Sequence, residues 1–315
     1  MNFQDIFINR AERLRSGWRF VIFMFAFIFF VTLFGGAANL VLSAMATDFR
    51  ADSLLFLITS YSISLVFAVL VGWICGKFLE DLPFRALGFS FAKNWLKDLL
   101  LGFGLGAVSI GLAVLITAAF GGLSFNFNQS HGISAILLTS AVSFAVFAVA
   151  AAFEEAFFRG YILQTFLRAN LVEFAVILTS ILFAAAHLQN SSANYISSIN
   201  TCLAGFWFGV AYLKTRNLWF PFGLHLIWNW MQGAIFGIEV SGNINLVTAP
   251  LLREIDVGPA WLTGGEYGIE GGIGCTVALI FSTVLIWFAP FLKPTEEMLA
   301  LTSEEKPREN LADNV

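Results

Sequence analysis

Charged side chains are scarce in this chain: Asp, Glu, Lys and Arg make up 12% of its 315 residues, against about a quarter in soluble domains. So few polar groups cannot cover a water-exposed globule of that length, and the main solvent is therefore lipid. A cationic excess is also lacking, since the formal net charge is −4, which excludes a nucleic-acid partner. The three cysteines, Cys75, Cys202 and Cys275, share no C-x-x-C spacing and fall in or beside apolar runs. That rules out a disulfide frame or a cysteine zinc cluster. Histidine is as sparse, with His131, His187 and His225 alone. What is abundant is apolar: 58% of residues are hydrophobic, including 36 Phe and 9 Trp, a composition that suits lipid contact and interfacial belts.

A membrane-spanning helix needs about 20 mostly apolar residues. Segments meeting that pattern run over 18–46, 54–79, 98–120, 133–166, 171–188, 197–214, 218–238 and 271–292. The expected fold is an all-α, polytopic membrane bundle of about eight helices. Residues 1–17 form an N-terminal segment, 18–292 the transmembrane domain, and 293–315 a charged tail expected to be disordered. Ala44-Met45-Ala46 looks superficially like a signal-peptidase site, but the preceding apolar run is too long for a signal-peptide core of about 7–15 residues. The first helix is expected to stay attached.

Positive charge is distributed unevenly among the links. Arg10, Arg13, Arg15 and Arg19 precede the first span, and Lys77, Arg85, Lys93 and Lys97 lie between the second and third. Arg168, Lys214, Arg216 and Lys293 follow spans four, six and eight. The opposite links carry Arg50 and Arg253. Lys/Arg bias places the richer side in the cytoplasm, so both termini are expected there, with the chain in the plasma membrane of a bacterium. The long opposite link, 239–270, holds Glu239, Glu254, Asp256, Glu266 and Glu270 among many glycines; Glu266 and Glu270 are expected to be solvated, and the glycines around them also allow a re-entrant loop near the site.

Ionisable groups at membrane depth are costly and mark function by default. They concentrate at Glu154-Glu155 with Arg159 in span four, at His187 ending span five, and at His225 with Asn229 in span seven. Glu155 and Arg159 are four apart and share a helix face, where they can pair. Glu154 is turned by about 100° from Glu155 and is free to act as a base. His225 and Asn229 are also four apart. A rise of about 1.5 Å per residue sets Glu154 and His187 each about 21 Å, and His225 and Asn229 about 12 and 18 Å, above the cytoplasmic ends of their helices. One internal pocket can hold all four. Taken singly, each residue also has a structural reading, as an ion pair or as interhelical glue. Jointly they fit one of two routes to water attacking a carbonyl. One is a buried carboxylate base with an imidazole beside it and further donors for an oxyanion. The other is a zinc ligand set of His187, His225 and Glu154.

E-E-x-x-x-R, F-x-x-x-H and H-x-x-x-N, in that order on separate helices, resemble the CPBP intramembrane proteases. These include CAAX prenyl endopeptidases, bacteriocin-processing and self-immunity proteins, and lysostaphin-resistance-type proteins. Arg159-Gly160-Tyr161 after the first motif, Gly223-Leu224 before the third, Arg85-Ala-Leu-Gly-Phe89 and Gly264-Gly-Glu-Tyr-Gly-Ile-Glu270 add to the likeness, which covers about 80–290. The resemblance implies a membrane endopeptidase acting on a peptide or membrane-protein substrate, prenylated in some members. It implies that Glu154 activates water with His187 beside it, that His225 and Asn229 form the oxyanion hole or complete a zinc site, and that Glu155 and Arg159 support them. Family members are described both as metalloproteases and as metal-free glutamate enzymes. The alternatives are a non-catalytic immunity or scaffold protein on the same fold, and a proton-coupled transporter, which would also keep Glu and His at the midplane.

Overall fold

The computed structural model describes residues 4–45, 54–91, 93–242 and 246–303. A short turn, α1 (Gln4–Phe7), leads into the long helices α2 (Ser16–Met45), α3 (Leu54–Glu80) and α4 (Trp95–Ala119). Strand β1 (Leu123–Phe127) follows, then α5 (Ile133–Glu155), which runs through a π-helix (Ala156–Ile162) into α6 (Leu163–Arg168). Next come α7 (Val172–Ala186), α8 (Tyr195–Thr215) and α9 (Trp219–Trp230), the last continuing into a second π-helix (Met231–Ile235). Strand β2 (Leu252–Asp256), α10 (Ala260–Thr263), α11 (Ile273–Phe288) and α12 (Glu296–Thr302) complete the chain.

The expected apolar segments are all helical. Five of them are long and apolar enough to cross a membrane: Ser16–Met45, Leu54–Glu80, Trp95–Ala119, Ile133–Arg168 and Tyr195–Thr215. Val172–Ala186, Ile273–Phe288 and the run 219–235 are shorter. The bundle's outer surface is apolar as well: Phe25, Leu40, Phe78, Leu115 and Phe288 are 63% to 76% exposed. Apolar side chains displayed over every face would aggregate in water and are at home in hydrocarbon.

Helix contact is closest between α4 and α9, where glycines let the backbones touch. A Cβ on Gly106 would sit 2.8 Å from Leu224 O, and one on Gly223 would sit 2.7 Å from Leu99 O. Small residues four apart, Gly102 and Gly106, serve association of helices in lipid by permitting this approach. The same device joins α7 to α8 at Gly205, whose added Cβ would meet Ser180 Cα at 2.7 Å.

Three features depart from the sequence expectations. The links 121–132 and 239–270 are not plain loops, because β1 and β2 pair antiparallel, Leu123 opposite Asp256 through Phe127 opposite Leu252. Their backbone groups lie at the bundle's end, and the two-stranded ladder satisfies them. Arg19 and Arg168, read as positives of the links, are buried instead. Arg19 Nη1 lies 2.6 Å from Glu80 Oε2, and Arg168 donates Nε and Nη2 to Glu80 at 2.8 and 3.0 Å. Finally, part of the expected tail is ordered. Thr295 caps α12 by accepting from Met298 N at 3.2 Å, and Met298 is buried. Residues 304–315, Ala46 and Arg50 lie outside the described residues.

Candidate active site

The two π-helices follow directly on the residues that carry chemistry. Glu154 and Glu155 end α5 just before Ala156–Ile162, and His225 and Asn229 lie on α9 just before Met231–Ile235. Such wide turns are rare and gather at functional sites, since the extra residue re-aims the neighbouring side chains.

Glu155 is fully buried and joins two helices. Its Oε1 accepts from Arg159 Nη1 at 3.1 Å and lies 3.0 Å from His225 Nδ1. Arg159, also fully buried, donates its other terminal nitrogen to Gly205 O at 2.9 Å. Its guanidinium carbon lies 5.6, 5.0 and 5.1 Å from the rings of Phe158, Phe183 and Phe208. A cation this deep is held by its carboxylate, a carbonyl and aromatic faces. His225 is fixed on both sides, because Phe208 stacks on its ring at 4.5 Å with an interplanar angle of 22°.

With Nδ1 turned to Glu155, His225 aims Nε2 at Glu154, 3.7 Å from Oε2. That separation is too long for a direct hydrogen bond and suits a bridging water. Glu154 Oε2 is buried without a hydrogen-bond partner among the described residues, and a buried carboxylate oxygen in that state calls for water or substrate. His187 caps α7 and turns Nδ1 to Phe183 O at 2.8 Å, which leaves its Nε2 free.

Glu154, His187, His225 and Asn229 all line one cavity of about 560 Å³, within the usual range of ligand pockets. His131 is elsewhere, with Nδ1 3.3 Å from Asn128 Oδ1. Glu270, expected to be solvated, lines the cavity as well. Its Oε2 accepts from Ser241 N at 2.6 Å, Ser241 Oγ at 3.0 Å and Gln232 Nε2 at 3.2 Å. Burial, partly offset by these donors, pushes its pKa up. The placement depends on glycine: Gly264 and Gly268 have φ of +92° and +89°, a region that L side chains rarely adopt. The Gly-rich run around Glu270 was the sequence signal for this fold-back.

Both histidines turn Nδ1 to an oxygen and leave Nε2 free, as metal-bound histidines do. Yet among the described residues no group of three or more His, Cys, Asp or Glu is placed to hold a metal ion. The residues as arranged do not form the His187, His225 and Glu154 ligand set.

Residues 137–231 match the model of the type II CAAX prenyl endopeptidase Rce1-like family. That segment is similar to an Rce1-like domain. The matched stretch contains Glu154, Glu155, Arg159, His187, His225 and Asn229, and the Rce1-like family is a family of proteases. Tyr61 on α3 and Glu270, which also line the cavity, lie outside it. No curated protein matches the chain.

Proposed function

We propose that the protein is an intramembrane endopeptidase in which Glu154 is the general base. The observation that carries this reading is Glu154 Oε2, buried and unpartnered, facing His225 Nε2 across 3.7 Å. A water between them donates one hydrogen to each. Glu154 takes the proton as the water oxygen attacks the substrate carbonyl carbon. Asn229 turns a donor to the oxygen on which negative charge develops, and His187, whose Nδ1 donates to Phe183 O, offers Nε2 to the pocket as an acceptor. Glu154 then returns the proton to the amide nitrogen, the C–N bond breaks, and a carboxylic acid and an amine form, the acid's proton passing to the amine as they leave. Glu155 touches no substrate in this scheme. It is a positioning residue that sets the His225 ring.

The substrate is a membrane-associated peptide or protein segment, and the aromatic wall of Phe27, Tyr61, Phe153 and Phe157 suits an apolar or lipidated chain, a prenyl group included. Both termini face the cytoplasm of a bacterial plasma membrane, by the Lys/Arg bias. The test is hydrolysis of a peptide library, prenylated peptides included, by detergent-purified wild type and Asn229→Ala. Loss of an oxyanion donor lowers kcat by about 10²–10³ with KM little changed. An unaltered kcat would remove Asn229 from the site, and binding without cleavage by the wild type would favour the scaffold alternative.

A further inference from the structure

Glu155 fixes His225, whereas His187 and Asn229 are held by other groups. His187 heads the turn that follows α7, and its carbonyl accepts from Asn190 N at 3.1 Å. The Asn190 side chain reaches out of that turn, where Nδ2 donates to Ser241 O at 3.0 Å. Gly242 packs on the same turn, since a Cβ added there would collide with Ser191 O. Asn229 stands three residues before Gln232, which lies in the second π-helix and is 0% exposed.

Both paths end on one oxygen. Ser241 donates its N–H and its hydroxyl to Glu270 Oε2 at 2.6 and 3.0 Å, and Gln232 donates Nε2 to it at 3.2 Å. Gln232 Nε2 also donates to Glu239 O at 2.6 Å, so the segment leaving the π-helix folds back on it.

Glu270 is held in turn from its backbone. Asn200, 1% exposed at the start of α8, donates Nδ2 to Glu270 O and Gly272 O at 2.8 and 2.9 Å. Thr276 Oγ1 donates to Asn200 Oδ1 at 2.6 Å and fixes that amide. The chain before Glu270 is confined as well, because a Cβ on Gly268 would collide with Glu239 O. A carboxylate fixed in this way is a rigid post, and the buried donors gathered on it would be orphaned by its loss. The stretch 137–231 carries His187 and Asn229 but not Glu270, which lies beyond it.

We infer that Glu270 is the positioning residue for the half of the site that Glu155 does not hold: through Oε2 it fixes the turn that carries His187 and the wide turn that follows Asn229. This rests on the hydrolase reading and deepens it.

The test compares detergent-purified wild type, Glu270→Ala and Glu270→Gln by peptide hydrolysis and by amide hydrogen exchange. A misplacement of about 1 Å in a site costs about 10² in rate, so Glu270→Ala is expected to lower kcat by about that factor, with KM within about twofold of wild type. Glu270 Oε1 takes no hydrogen bond among the described residues, so Gln can turn its side-chain oxygen to the same three donors. Glu270→Gln is therefore expected to recover at least half of the loss on a logarithmic scale, which a group acting by its charge or its proton would not do. Amides of 188–193 and 238–242 are expected to exchange about fivefold faster in Glu270→Ala, with those of α5 unchanged. A folded Glu270→Ala with wild-type kcat would overturn the inference. So would a Gln variant as slow as the Ala variant, or a rise in KM without a fall in kcat. The exchange arm needs no turnover and separates the two readings. If the wild type cleaves nothing, the hydrolase reading fails; unchanged exchange in 188–193 then overturns the positioning, and faster exchange upholds it. If Glu270→Ala does not fold, Asn190→Ala cuts the link from Ser241 to the His187 turn and is expected to lower kcat and speed exchange in 188–193. A wild-type kcat in that variant would overturn the inference.

Discussion

Glu155→Ala separates the structural work of the buried ion pair from the chemistry beside it. Glu155 and Arg159 are both fully buried, so the variant leaves a guanidinium with the Gly205 carbonyl and three ring faces but no carboxylate in direct contact. Removing one partner of such a pair costs about 3–5 kcal/mol. The lost bond to His225 adds about 1 kcal/mol. Against a typical stability of about 5–15 kcal/mol, the single variant stands near the limit of folding. Glu155→Ala with Arg159→Met removes the orphaned charge and is expected to recover more than half of the loss, since apolar replacements of buried pairs are often neutral. The assay is unfolding of purified protein in a fixed detergent, run as a double-mutant cycle of wild type, both singles and the double. A single-variant cost within about 0.5 kcal/mol, the range of surface substitutions, would refute the reasoning. So would a double variant whose loss equals the two singles added.

Gly205→Ala is expected to cost about 1–3 kcal/mol by overpacking, because the new methyl meets Ser180 Cα and a backbone atom cannot step aside; thermal unfolding in detergent measures it, with the larger fall in kcat expected if α7 carries His187 out of place. Glu254 on β2 is pushed up to about 8 by burial, then by Glu239 and Asp256, whereas an unfolded Glu titrates near ~4.3. Between those values the folded protein holds a proton the unfolded chain has lost, so its contribution to stability declines as pH rises through about 8; Glu254→Gln should flatten the dependence of unfolding temperature on pH between about 5 and 9. Purified protein is expected to carry less than one zinc per chain and to keep its turnover after chelation. Stoichiometric zinc whose removal abolishes cleavage would replace the carboxylate–water route.

The apolar segments were legible because lipid imposes a length and a composition on each span. The paired motifs were legible because i, i+4 spacing survives in a helix. Arg159 still reaches Glu155 at 3.1 Å although a π-helix, not an ideal α-helix, runs between them. Nothing in the hydropathy marks the extra residue of such a turn. Glu80 carries no sequence signal, because a single acid at the end of an apolar run looks like a link residue and its partners Arg19 and Arg168 are 61 and 88 positions away in sequence. Pairing at that distance is a property of the packed bundle. The β1–β2 pair was hidden for the same reason, since each strand is five residues long and its partner lies beyond several helices. Which imidazole nitrogen faces which carboxylate was likewise beyond the sequence. The structure sets His225, through Nε2, against Glu154.

The most direct test of the account is the hydrolysis rate of Glu154→Gln beside wild type, in one detergent and with unfolding temperatures matched. The side chain keeps its size and loses its capacity as a base, so the account predicts a fall in kcat of about 10²–10⁴ in a protein that remains folded. A folded Glu154→Gln that cleaves at the wild-type rate would contradict it.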